Sequence, residues 1–249
     1  MRIEDILPTP PLEEAERILV VEAHPDDAEV ASGATLARLA QSGKIVHIVA
    51  LTGGNRGTTD PSLSPGEVRR TRLVEGEAAA RVLGAESFEA FDGEDMFLAN
   101  TPELRGRVVS AIRAFKADTL FCLDPELADE SHPDHRAAGR IALAAAVLSA
   151  FPLVPFAQGE PLALARVVLM ATDRPNLALD VASTWEQKWQ AIQAHTSQFP
   201  LDQLGQLQMY LSLWCEDYGR RNGVEIAEPL RILTPMHLHM NPGDSAGRA

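Results

Sequence analysis

The sequence predicts an α/β fold, a mostly parallel sheet with helices packed on both of its faces. Three observations predict it. Short runs built round continuous aliphatic cores, such as "RILVVE" (residues 17–22), "KIVHIVALT" (44–52) and "DTLFCLDP" (118–125), have the composition of strands buried on both sides. Longer stretches of helix-forming residues separate them, so strand and helix alternate. The chain, 249 residues long, is large enough for one such domain with a sizeable core.

The elements follow in order. After a proline-rich lead-in, the first strand covers Arg17 to Glu22. "AEVASGATLARLAQSG" (28–43) is a run of good helix formers that closes at Gly43. The second strand, 44–52, leads into the loop "GGNRGTTDPSLSPG" (53–66). An amphipathic helix runs from Glu67 to Leu83 and stops at Gly84, before a short strand "SFEAF" (87–91) and the turn "DGED" (92–95). "TPELRGRVVSAIRAFKA" (101–117) is a helix with Thr101 as N-cap and Pro102 at its first position. The strand at 118–125 follows, then a polar cluster and a helix from His135 to Leu148. "LARVVLMAT" (164–172) and "NLALDVA" (176–182) read as strands that could pair as a hairpin. Helices over 183–195 and 202–220 and a last strand, "GVEIAEPLRIL" (223–233), complete the pattern, and "MNPGDSAGRA" (240–249) reads as frayed. The whole of 1–249 is expected to form one domain, whose core is elaborated after about residue 150.

Composition narrows the function. A formal net charge of −13 and a sequence pI near 4.9 disfavour nucleic acid and acidic membranes as partners. The apolar stretch Ile141–Phe156 is too short for a membrane span and contains a proline. Residues 1–10 lack the charged-then-apolar order of a secretory signal, and Cys122 and Cys215 stand far apart, so the cytoplasm is the expected compartment.

Two polar clusters fall at the carboxyl ends of predicted parallel strands, where open α/β sheets bind their ligands. "HPDD" (24–27) supplies an imidazole and two adjacent carboxylates on a proline-stiffened turn. "SHPDHRAAG" (131–139) places His132 and His135 three apart at the mouth of a helix, on one side of it. Taken singly, each histidine is more often a hydrogen-bonding residue, and Asp26 could serve only as a helix cap. Together the clusters contain the parts of a hydrolytic metal site: His and Asp ligands with an open position for water, a spare carboxylate as base and a spare histidine for the developing oxyanion.

"AHPDDAEVASGATLA" (23–37) and "HPDHRAAG" (132–139) resemble the paired signatures of the zinc-dependent N-acetylglucosaminyl deacetylases, the LmbE-like and PIG-L-like family that includes the mycothiol and bacillithiol pathway deacetylases. "LTGGNRGT" (51–58), "RLVEGEAAARVLG" (72–84) and "AHTSQF" (194–199) resemble further elements of that family in the same order. The resemblance implies a Rossmann-like three-layer fold and a hydrolase that removes the N-acetyl group from an N-acetylglucosamine-type sugar or glucosaminide conjugate. It implies Zn2+, or Fe2+ in the cell, on His24, Asp27 and His135. Asp26 would be the general base, His132 the electrophilic or acid group, and Asp134 an orienting residue behind the ligands. Arg72 and Asp92 match sugar-contacting positions, and Arg56 adds positive charge to the rim of the pocket. A small-molecule partner is implied, and a homo-oligomer is compatible with the architecture.

The chain departs from the family at Ala34, where a second glycine is usual, and at Asn55, where an acidic residue is common. Two other functions fit the same residues: a metal-dependent amidase or deacylase acting on a substrate without GlcNAc, and a noncatalytic small-molecule-binding protein with a vestigial metal site. His195 could face the pocket or a subunit interface, or pack as a satisfied core histidine, and nothing in the spacing connects His237 and His239 to the first site. Trp185, Trp189 and Trp214 read as core or interface residues, and Cys122 as a packing residue.

Overall fold

The computed structural model describes residues 8–240. Strands β1 (Arg17–Glu22), β2 (Ile45–Thr52), β3 (Ser87–Gly93), β4 (Thr119–Leu123), β5 (Arg166–Met170), β6 (Leu177–Asp180) and β7 (Ala227–Leu233) form a sheet in the order β3-β2-β1-β4-β5-β7-β6. The first five are parallel, and β7 runs antiparallel to both of its neighbours. Seven α-helices are described: α1 (Asp27–Gln41), α2 (Pro65–Leu83), α3 (Pro102–Phe115), α4 (Pro133–Leu148), α5 (Trp185–Ala194), α6 (Leu201–Arg221) and α7 (Pro235–Met240).

The three layers follow from the two-residue period of the strands. Leu19 and Val21 of β1 point to one face, where α3 and α4 cover them with Val108, Ile112, Ile141 and Ala145. Ile18 and Val20 point to the other, under Leu36 of α1, Ala79 and Leu83 of α2 and Ala191 of α5. All four β1 side chains are fully buried, which is why the run is aliphatic without alternation. No helix of the described residues is long and apolar enough to cross a membrane.

The structure corrects the expected hairpin. β5 and β6 do not pair; β7 lies between them, with Val168 opposite Ile232 and Leu179 opposite Glu228. The fully buried β7 had to be central, because an edge would have exposed one row of its backbone groups. Two helices also begin earlier than expected. Ser64 accepts from the Glu67 amide while the Glu67 carboxylate accepts from Ser64, a capping box that starts α2 at Pro65. His132 accepts from the Asp134 amide and so starts α4 at Pro133. The expected fraying beyond Met240 lies outside the described residues.

Helix α1 is broken in its middle. Ser32 has φ −152° and ψ 27°, which frees backbone groups on both sides of it. The buried Glu228 carboxylate accepts from the Ala34 and Thr35 amides, and the buried Lys188 ammonium donates to the Val30 carbonyl. Lys188 and Glu228 meet at 2.6 Å, so a buried ion pair fills the break.

Candidate active site

β1 and β4 are neighbours, yet the chain leaves β1 toward β2 on its other side. At such a switch point the loops after the two strands diverge and leave a crevice. Both polar clusters stand there. A cavity of about 430 Å3 opens between them, and its walls include His24, Asp26, Asp27, Arg72, Glu130, His132 and His135.

The donor groups converge. Nitrogens of His24, His132 and His135 lie within 4.8 Å of one another. Asp27 stands between two of these rings, with Oδ1 3.2 Å from His135 Nε2 and Oδ2 3.7 Å from His24 Nδ1. The turn fixes that carboxylate, since Asp27 Oδ2 accepts from the Ala23 and His24 amides at 3.0 and 2.9 Å.

Each ring is held from behind. His24 Nε2 lies 3.2 Å from both Asp95 and Asp134, which leaves Nδ1 toward Asp27. His135 Nδ1 is 2.8 Å from Glu130, which leaves Nε2 inward. Carboxylates behind metal-binding imidazoles fix the ring and raise its basicity. The Asp134 carboxylate also accepts from the Met96 and Leu98 amides, so one residue holds both a ring and the loop after β3.

The electrostatics fit a cation. Burial disfavours charge on His24, but the Asp27 and Asp95 carboxylates outweigh it and raise its pKa to about 10. Burial likewise opposes charge on His135, and Asp27 with Glu130 raises it to about 9. An acidic cage that draws protons onto its imidazoles at neutral pH is a cage for positive charge, and a divalent ion such as Zn2+ fits its His and Asp donors. His132 is different: burial and its two histidine neighbours lower its pKa. Its Nδ1 accepts from a backbone amide, so the neutral ring carries its proton on Nε2.

Asp26 occupies strained backbone, with φ 131°. Burial pushes its pKa up to about 6, against the pull of Arg72. Arg72 is itself buried and donates to the Pro25 and Gly54 carbonyls and to Asp26. One turn further along α2, Glu75 accepts from Thr196 and Ser197, while Gln198 donates to Gly57. The Arg-x-x-Glu and His-x-Ser-Gln segments thus dock on each other beside the cavity.

Other expected residues lie elsewhere. Asp92 is not brought to the cavity; its exposed carboxylate pairs with Arg107, because the alternation of β3 turns it outward. The pocket residue of that turn is Asp95, which the sequence reading passed over, although its position at the end of a strand-to-loop turn marked it. Arg56 is not a cavity wall: its amide and guanidinium bind Asp95, and its guanidinium also pairs with Glu94. His195 is fully buried, with Nε2 3.6 Å from Glu29, and does not line the cavity. His237 bonds Thr234 at the start of α7, and neither it nor His239 belongs to a metal-capable cluster among the described residues. Cys122 is buried in the sheet, where burial raises its pKa. Trp189 is core, and Trp214, which packs against the core as expected, also lines the cavity.

A His/Asp cluster at the switch point of a three-layer α/β fold has the donors that metal-dependent hydrolysis requires. Residues 19–146 match the family model described as PIG-L, GlcNAc-PI de-N-acetylase. The chain belongs to the PIG-L/LmbE-like N-acetylglucosaminyl deacetylase family, and it is a metal-dependent deacetylase. It is 33% identical to the diacetylchitobiose deacetylase of Thermococcus kodakarensis over 93% of this chain and 88% of that one. The structure of N,N'-diacetylchitobiose deacetylase from Pyrococcus horikoshii superposes with a TM-score of 0.88 at 31% identity, covering 98% of this chain and 94% of the other. A 4-oxalmesaconate hydratase of Pseudomonas putida is 30% identical over 72% of this chain and 73% of its own length.

Proposed function

We propose that the protein removes the N-acetyl group from an N-acetylglucosamine-type amino sugar or glucosaminide conjugate. In this reading the described chain is one catalytic domain in which His24, Asp27 and His135 hold the cation, Asp26 is the general base and His132 faces the carbonyl oxygen. A single observation carries it: two imidazoles, each held at one nitrogen by a carboxylate, present the other nitrogen to the same Asp27 side chain. When bound there, a divalent cation would acidify water and polarise an amide carbonyl.

The chain's own groups supply the rest. Asp26, kept partly buried beside Arg72, takes a proton from water as its oxygen attacks the acetamide carbon. His132 Nε2–H donates to the carbonyl oxygen as negative charge grows on it. The proton held by Asp26 then passes to the departing nitrogen, the C–N bond breaks, and acetate and a free amine remain. Asp134 and Glu130 keep the rings from turning while this happens.

Hydration of an unsaturated acid, the reaction that the name of the hydratase relative describes, has less support, because that relative aligns over 72% of the chain and the chitobiose deacetylase over 93%. Acetate release from a panel of N-acetylglucosamine conjugates, by metal-stripped protein with and without added Zn2+, tests the proposal. Zn2+-dependent acetate and amine in equal amounts are expected. Stoichiometric Zn2+ binding with no acetate from any conjugate would refute it.

A further inference from the structure

Beside the polar cluster the cavity has an apolar wall, which includes Leu123, Ala171, Phe199, Leu207, Leu211 and Trp214. Leu207, Leu211 and Trp214 are spaced i, i+4, i+7 on α6, so one stripe of that helix faces the cavity. Leu211 is 6% exposed, and the Ala171 backbone is left-handed at φ 48°, so this wall is built of packed side chains and a constrained strand end.

From this wall we infer that the substrate carries an uncharged apolar substituent on its amide-bearing sugar, seated against α6. The inference rests on the deacetylase reading for the position of the acetamide. The aliphatic side chains of this wall, Leu123, Ala171, Leu207 and Leu211, give a sugar ring's hydroxyls no partner, and placing them there would strip their water without compensation. An alkyl or aryl group gains from the same wall by leaving water. At about 430 Å3 the cavity is within the range that encloses a drug-sized ligand. An anionic substituent fits poorly. Among the described lining residues Arg72 is the one Lys or Arg, and two carbonyls and Asp26 already occupy it.

Two chemical positions could carry the apolar group, the glycosidic oxygen or the acyl chain, and the test separates them. Zn2+-loaded protein is assayed on methyl and hexyl N-acetylglucosaminides, diacetylchitobiose, N-acetylglucosamine 1-phosphate and N-hexanoylglucosamine. In parallel, hexyl glycoside is titrated against the tryptophan fluorescence of the wild type and of Trp214→Phe.

The hexyl glycoside or the N-hexanoyl sugar is expected to exceed the methyl glycoside in kcat/KM by about tenfold or more, since each buried methylene strengthens binding several-fold. Whichever of the two gains names the position. Leu211→Asn is expected to shrink that ratio, and the titration to give a saturable signal lost in Trp214→Phe. Acetate from methyl glycoside and chitobiose with no gain on either hexyl arm would overturn the inference and leave the deacetylase reading intact. Failure of that reading shows instead as no hydrolysis of any sugar. The titration then decides alone, and a flat response overturns the inference too.

Discussion

Replacing Lys188 with methionine tests how the site is held from behind. Both Lys188 and Glu228 are 1% exposed, and their 2.6 Å contact sits inside the break of α1. Methionine keeps most of the side-chain volume but removes the charge and the donor to the Val30 carbonyl. Glu228 would retain the Ala34 and Thr35 amides yet lose its countercharge. A buried carboxylate left without its partner costs about 3–5 kcal/mol. For a chain of this size that lowers the melting temperature by roughly 6–20 °C, at about 2–4 °C per kcal/mol. Urea unfolding of wild type, K188M, E228Q and the double variant measures it, with unchanged m-values confirming a common reference. The double variant is expected to recover part of the loss, because the side-chain amide introduced by E228Q can still accept from the backbone amides while no charge is left unpaired. K188M within about 1 kcal/mol of wild type, or a double variant no better than K188M, would refute the idea that this pair organises α1.

Other outcomes follow from the site itself. Asp26→Asn should lower kcat by about 10²- to 10⁴-fold while Zn2+ binding by calorimetry is retained, since only the base is removed. Arg72→Met withdraws the positive charge that holds the Asp26 pKa down, so the acid limb of the kcat/KM profile should move to higher pH, and an unmoved limb would count against Asp26 as the base. Asp134→Asn weakens the hold on His24 and on the 96–98 loop together, and should cost about 10- to 100-fold in Zn2+ affinity.

Protonation of His24 and His135 competes with the cation, and their raised values of about 10 and 9 set the window. Zn2+ affinity should therefore keep rising from pH 7 to pH 9, whereas ordinary imidazoles would level off above about 6.5. The sign reverses for metal-free stability. Both folded values are raised, so the contribution is complete below about 6.5 and fades as pH climbs through 9 and 10. Thermal melts of stripped protein at pH 7 and pH 10 should show the loss.

The sequence by itself determined whatever depends on neighbours in the chain. A doubly buried strand must be aliphatic, and a strand ending in His-Pro-Asp-Asp must deliver those groups at its carboxyl end, so β1, β4 and the two clusters were legible from composition and position. The same holds for the Thr101 and Pro102 start of α3 and the stop of α2 at Gly84, whose φ of 79° glycine accommodates without strain.

Only the tertiary structure decided which distant residues meet. Asp92 and Asp95 are equivalent acids in one turn on paper, but the pleat sends the first to solvent and the turn sends the second to His24. Strands 166–170 and 177–180 look like a hairpin until a buried third strand, 227–233, claims the position between them from beyond two helices. Nothing local marks Lys188 and Glu228 as a buried pair, because the break of α1 at Ser32, with amides and a carbonyl awaiting partners, exists only in the fold. Trp214 likewise became a cavity residue only when α6 packed against β7 and β6. In each case local chemistry fixed what a residue could do, while long-range packing, whose energy depends on pairs no short window contains, fixed what it faces.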